Sequence, residues 1–99
     1  MDWEKIMKEG QKLADQLKRE KVDSNEAKKA LGFYKACGYD DRKLETFLAL
    51  MGKDCAARTK TTVSYYRGLK KALELWKTDL VGEERAMAWG WGLRMMNSR

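Results

Sequence analysis

The 99-residue sequence contains no histidine and no proline, and each absence narrows what the chain can be. Histidine is the side chain that most often serves as a general base, so its absence argues against most acid–base catalysis. Proline commonly terminates helices, and a chain without it must end its helices with glycine or with capping side chains. The lack of proline therefore favours an all-helical protein.

Cysteine and long apolar segments are also scarce. The two cysteines, Cys37 and Cys55, are too few for a disulfide framework or, without histidine, for a zinc site, so we interpret both as reduced thiols. The uncharged run 86–93 is far shorter than the roughly 20 residues of a membrane-spanning helix, and the chain does not begin with a signal-peptide pattern. We therefore expect a cytoplasmic protein with no membrane, metal, cofactor or small-molecule partner.

The apolar residues that are present recur at three- and four-residue spacing, which is typical of amphipathic helices. This spacing predicts helices over about 2–21, 24–37, 41–51, 62–78 and 83–96, with a bend between 53 and 62. Either Asp23 or Ser24 would cap the second helix and either Asp40 or Asp41 the third, while Gly38 would end the second in the left-handed conformation. The sequence predicts one domain, an all-α compact bundle of four to five helices.

The last predicted helix has no charge around its middle, so it must be surrounded by other parts of the protein. Ala86 and Ala88 each precede a glycine by four residues, and such small pairs allow neighbouring backbones to come close. We predict that this is the central helix of the bundle. Alternatively, part of it forms an interface with another protein. The residues of that possible interface are Trp89, Trp91 and Met95.

Aromatic residues elsewhere divide into two groups by their position on the predicted helices. One group falls on apolar stripes and is predicted to lie in the core: Trp3, Tyr34, Tyr66 and Trp76. The other group lies off those stripes and could stack on nucleic-acid bases: Phe33, Tyr39 and Tyr65. Leu50 is predicted to widen the apolar stripe of the third helix.

Positive charge is concentrated in one quarter of the chain. Of the net +6, residues 53–78 carry +5, with hydroxyl side chains interleaved. A basic stripe with short hydroxyl donors suits a phosphate backbone, although a solvated helix face is the alternative. The predicted nucleic-acid contacts are Lys53, Arg58, Lys60, Ser64, Arg67, Lys70 and Lys71. A second, weaker basic face comprises Lys28, Lys29 and Lys35.

Catalytic patterns are poor by comparison. No glycine-rich phosphate loop is present, and Asp40, Asp41 and Glu45 are better explained as a helix cap and an exposed face than as a metal site. We therefore predict that the chain is not an enzyme.

Several segments, taken in order, resemble the small helical subunit of type III CRISPR effector complexes. They are SNEAKKALGFY (24–34), ETFLALM (45–51), KDCAARTK (53–60), SYYRGLKKALE (64–74) and AWGWGLRMM (88–96). The resemblance implies a non-catalytic ribonucleoprotein subunit in antiviral defence, which stacks in copies beside the other subunits. It also implies contact with guide RNA and its paired target strand through a basic face of Arg58, Lys60, Arg67 and Lys71.

Two other classes remain open. A helix-turn-helix DNA-binding protein would use the second and third helices, joined at 38–40, but Arg42 and Lys43 are a small basic contribution for a recognition helix. A protein-interaction adaptor would instead use the tryptophans and methionines of the last helix as its anchor.

Overall fold

The computed structural model describes residues 2–53 and 59–97. Within these segments the chain forms five α-helices and no strand, which confirms the predicted all-α bundle. They are α1 (Trp3–Arg19), α2 (Ser24–Ala36), α3 (Asp41–Met51), α4 (Lys60–Leu75) and α5 (Gly82–Asn97). The radius of gyration, 12.8 Å, is that of a compact chain of about 100 residues. Most of the predicted bend between 53 and 62 lies outside the described residues.

Side-chain caps begin the first four helices. The capping residues are Asp2, Asp23, Asp40 and Thr59. Asp23 accepts a hydrogen bond from the backbone N–H of Asn25 at 2.7 Å, and Asp40 accepts one from Lys43 at 3.1 Å. The structure therefore resolves both alternatives, with Asp23 capping α2 and Asp40 capping α3. Each cap satisfies a backbone donor that would otherwise have no partner in the helix.

Glycine supplies the left-handed backbone at two of the connections. Gly38 follows α2 with φ of 72°, as predicted, and Gly82 begins α5 with φ of 58°. Gly52 ends α3 with φ of −85°, so its role is different. A Cβ atom there would lie 3.2 Å from the carbonyl oxygen of Leu48 and 3.3 Å from Cγ of Arg67, so the absence of a side chain allows a close approach.

Helix α5 packs against α1 and α2, most closely against α1, and its backbone does not approach α3 or α4. The predicted position at the centre of the bundle is therefore wrong, because α3 and α4 pack against each other instead. Trp89 is fully buried, and Ala86, Ala88 and Leu93 are buried beside it. Gly92 contributes to the crossing with α1, whereas Gly90 has more space around it. Only one of the two predicted small-residue pairs, Ala88 with Gly92, therefore forms a close backbone contact.

The prediction of a core position is confirmed for three of the four aromatic residues that fall on apolar helix faces. Tyr34, Tyr66 and Trp76 are buried. The prediction for Trp3 is wrong: it is 54% exposed, because the buried stripe of α1 begins one turn later, at Ile6. The prediction for Leu50 is also wrong, since it is 49% exposed.

Helix α4 begins and ends earlier than predicted. It starts at Lys60 because Thr59 caps it, and it stops at Leu75 rather than near Thr78. Trp76 leaves the helical conformation and packs against α1, where its indole Nε1 donates a hydrogen bond to the backbone oxygen of Glu9 at 3.0 Å. Anchoring of this indole turns the chain toward α5.

Candidate nucleic-acid interface

The exposed face of α4 carries a line of polar and basic side chains. Helical spacing places Lys60, Ser64, Arg67 and Lys71 on one side, and all four are exposed. The opposite side is buried through Tyr66, Leu69 and Leu73. We call the four exposed residues the α4 stripe. It extends about 16 Å along the helix axis, at about 1.5 Å per residue.

The end of α3 lies against this stripe. The Arg67 Nε atom donates a hydrogen bond to the backbone oxygen of Gly52 at 2.8 Å, across a separation of 15 residues. Lys53, the next residue, is exposed and lies beside the stripe as a result. The structure therefore brings together five of the seven predicted contacts. Among the described residues Arg67 makes no ion pair.

Two further predicted contacts stand apart from the others. Lys70 lies on the flank of α4 beside Glu45 and Glu74, in a shallow pocket that Asp41 and Arg85 also line. Its surroundings are therefore partly acidic. Arg58 lies outside the described residues.

A carboxylate compensates part of the positive charge of the α4 stripe. The Lys71 ammonium lies 3.6 Å from Glu20 Oε2, an ion pair in which the lysine side chain is 64% exposed. The Glu20 side chain is only 20% exposed, so the pair is partly buried and Glu20 compensates part of the charge of Lys71. Lys60 and Lys53 form no ion pair within the described residues.

The threonine hydroxyls beside the stripe have a structural role. Thr59 Oγ1 accepts a hydrogen bond from the Thr62 backbone N–H at 3.1 Å, and it donates to Thr62 Oγ1 at 2.9 Å. These two hydroxyls cap α4, so they are less available to phosphates than the sequence pattern indicates. Ser64 keeps an exposed position on the stripe.

A cluster that joins three helices was missed by the sequence analysis. Asp41 Oδ1 accepts a hydrogen bond from the Tyr34 hydroxyl at 2.7 Å and pairs with Arg85 Nη1, also at 2.7 Å. The Arg85 guanidinium lies over the rings of Tyr34 and Trp76, 5.5 and 5.8 Å from their centroids. Burial and the hydrogen bond to Asp41 raise the pKa of Tyr34, while Arg85 opposes that shift. Periodicity gives no signal for such contacts, since they join separate helices.

Two of the three acidic residues that were weighed as a metal site, Asp40 and Asp41, make structural contacts. Asp40 caps α3, and Asp41 belongs to the cluster with Tyr34 and Arg85. No group of three or more potential metal ligands occurs in the described part of the chain.

The predicted interface of α5 needs correction for one residue. Trp89 is fully buried among core side chains, so it is not available on the surface of the folded chain. Trp91 and Met95 are half-buried. Part of Trp91 is engaged by α1, since a Cβ atom on Gly10 would lie 2.9 Å from its Cδ1.

The candidate stacking residues are only partly free. Phe33 stacks on Phe47, with ring centroids 4.3 Å apart, and Tyr39 packs edge-on against Tyr34. One face of Phe33 is therefore occupied within the protein. Tyr65 is half-buried on α4.

Comparison with known proteins adds no relative: no protein-family model, curated protein or solved structure matches this chain. Among the described helices, none is long and apolar enough to cross a bilayer. Function must therefore be inferred from the side chains themselves.

Proposed function

We propose that this protein is a non-catalytic RNA-binding subunit of an RNA-guided ribonucleoprotein of the type III CRISPR kind. It contacts the phosphate backbone of guide RNA and target strand through the α4 stripe and Lys53, and it associates with neighbouring subunits and with copies of itself. The observation that carries the proposal is the exposed line of Lys60, Ser64, Arg67 and Lys71 on one helix face. The resemblance of the sequence segments supplies the class of assembly.

The stripe suits backbone contact better than base recognition. Its charged groups are long, flexible lysines and one arginine that already donates Nε to Gly52, while Ser64 offers a short hydroxyl. Such groups fix position on phosphates and carry no sequence information. We therefore expect binding with little sequence preference.

The number of cations sets the expected dependence on salt. Three to four phosphate contacts on a single strand give a slope of about −2 to −3 for the logarithm of affinity against the logarithm of salt concentration. Affinity should then fall about 20- to 50-fold between 50 and 200 mM salt. Fluorescence anisotropy of labelled RNAs of different sequence measures both the slope and the sequence preference.

A double variant tests the site. Lys60→Glu with Lys71→Gln removes two stripe cations, and a carboxylate at Lys60 falls in the first turn of α4, where negative charge is favoured. The fold should therefore survive while RNA affinity falls at least about tenfold and the salt slope becomes shallower by about 1.4. Circular dichroism and a thermal melt check the fold.

The matched control is Lys28→Glu with Lys35→Gln on α2, which changes the net charge by the same amount. It should leave RNA affinity within about threefold of the original protein, since these lysines lie on another helix and contribute only long-range, screened attraction. Equal losses from the two double variants would mean that binding follows net charge alone. Full RNA affinity in the stripe variant would contradict the proposal.

A further inference from the structure

A groove between α2 and α5 combines an apolar floor with a basic rim. Leu31 and Leu93 form the floor, and the rim carries Lys28, Lys35 and Arg94. The groove encloses about 370 Å³, and none of the described residues that line it is acidic or aromatic. Within the described residues none of the three cations forms an ion pair. We call this feature the α2–α5 groove.

Two glycines that the fold does not require lie in the same groove. Six of the eight glycines have a clear reason to be glycine. Each of them either has a left-handed backbone or lies where an added Cβ atom would come within 3.4 Å of another atom. Gly32 and Gly90 do neither. A Cβ atom on Gly32 would meet nothing within 4 Å, and one on Gly90 would make only ordinary contact with Leu31 at 3.7 Å. Since glycine weakens a helix interior, its presence on both walls is explained by an occupant that comes close to the helices.

From these features we infer that the α2–α5 groove is the docking site of an acidic amphipathic helix from a partner protein. Lys28 and Lys35 are seven residues apart, two turns of α2, which is about 10.5 Å. Carboxylates seven residues apart on an incoming helix would meet these lysines. Apolar side chains between the carboxylates would contact the small parts of Leu31 and Leu93 that stay exposed, 5% and 7%. Gly32 and Gly90 would allow that helix to approach closely.

The chemistry of the groove favours such a helix over a nucleic acid. A phosphate backbone gains nothing from an apolar floor. The groove is separate from the α4 stripe, so the inference stands whether or not the stripe binds RNA.

The test uses a labelled helical peptide of about 17 residues, in which glutamates recur every seven residues and leucines lie at the third and fourth positions after each. A second peptide has glutamine in place of every glutamate. Fluorescence anisotropy should show that the acidic peptide binds the full-length protein at least about tenfold more tightly than the glutamine peptide. Failure of the acidic peptide to bind, or equal binding of both peptides, would overturn the inference.

Two variants locate the binding. Gly32→Leu should reduce affinity for the acidic peptide at least about tenfold by filling the groove, while its melting temperature stays the same or rises, because the new side chain has free space and leucine favours a helix. Lys28→Glu with Lys35→Gln should weaken binding of the acidic peptide and strengthen binding of a peptide with lysines in place of the glutamates. Unchanged acidic-peptide binding in the stable Gly32→Leu protein would overturn the inference.

Other occupants give different results. If a second copy of this chain fills the groove, Gly32→Leu will abolish self-association in sedimentation while the peptide fails to bind. If RNA fills it, the Lys28 and Lys35 double variant will lose RNA affinity and the stripe variant will retain it. Either result would overturn the docking of an acidic helix. The Lys60 and Lys71 double variant should bind the acidic peptide normally, so the two proposals fail separately.

Discussion

Gly10 of α1 and Gly92 of α5 face each other where the two helices cross. A Cβ atom on Gly92 would lie 2.7 Å from the carbonyl oxygen of Gly10, and one on Gly10 would lie 2.6 Å from that of Ala88. In both cases the obstructing atom belongs to backbone, which moves only if the helices separate. The bundle therefore depends on the absence of side chains at this crossing, although glycine itself weakens both helices.

Gly92→Ala should destabilise the protein by about 1–3 kcal/mol, because the added methyl group forces α1 and α5 apart. The free energy lost by this separation exceeds the free energy gained from the higher helix propensity of alanine. Gly32→Ala is the matched control, with the same chemical change in a helix interior but with free space around the new atom. It should stabilise by about 0.5–1 kcal/mol. Urea denaturation measures both changes. Stabilisation by Gly92→Ala would show that the crossing is looser than described.

The two buried tryptophans of the core differ in their indole N–H groups. Trp76 donates to the Glu9 carbonyl at 3.0 Å, whereas the Trp89 N–H is buried with no acceptor among the described residues. Replacing either residue with phenylalanine removes a similar volume, but only Trp76→Phe breaks a hydrogen bond. Trp76→Phe should therefore cost about 1 kcal/mol more than Trp89→Phe. Equal losses in denaturant unfolding would indicate that the Trp89 N–H has found a partner.

The sequence pattern predicted the helices well because apolar spacing reports which side of each helix is buried. It correctly predicted that the last helix is buried around Trp89 and that the α4 stripe lies on an exposed face. The pattern could not predict which groups meet across helices, since spacing within one helix does not identify its neighbour. The bond between Arg67 and Gly52, and the pair of Lys71 with Glu20, were therefore missed.

Helix ends were harder to predict for a related reason. Apolar residues continue beyond Leu75, so periodicity alone extended α4 toward Thr78. The helix stops because Trp76 is held by the backbone of α1, a tertiary contact with no local signal. The predicted burial of Trp3 was wrong at the other end of a helix. Its spacing suits the apolar stripe of α1, but it lies in the first turn, ahead of the buried part of the helix.

The surroundings of the Tyr34 hydroxyl predict that the stability of the fold decreases at alkaline pH. Burial, and then the bond to Asp41, raises the pKa of Tyr34 above the ordinary tyrosine value of about 10. The protonated hydroxyl is thus favoured by folding. The stability that this hydroxyl contributes is fully present below the pKa that Tyr34 has in the unfolded chain. It is lost as pH rises through the higher pKa that Tyr34 has in the folded protein.

Tyr34→Phe tests this dependence. At neutral pH the variant should be less stable than the original protein, because Asp41 loses its hydroxyl donor, by about 1–2 kcal/mol. Above about pH 10 the difference should narrow, since ionisation of Tyr34 in the unfolded chain destabilises only the original protein. Urea denaturation across this range, with phenolate absorbance as a second measurement, follows both effects. A difference that stays constant with pH would contradict a raised pKa.

Arg67 combines a structural contact with a place on the α4 stripe, and two substitutions separate these roles. Arg67→Lys keeps the positive charge but loses the Nε donor to Gly52, so it should lower stability by about 1 kcal/mol and retain most of the RNA affinity. Arg67→Ala loses both the donor and the charge. It should lower stability by a similar or slightly larger amount, and it should also make the salt slope of RNA binding shallower by about 0.7. Denaturant unfolding and RNA anisotropy on the same samples give the two quantities. If Arg67→Lys reduced RNA binding as much as Arg67→Ala, the contact between α3 and α4 would be what positions the site, and the charge of Arg67 would contribute little.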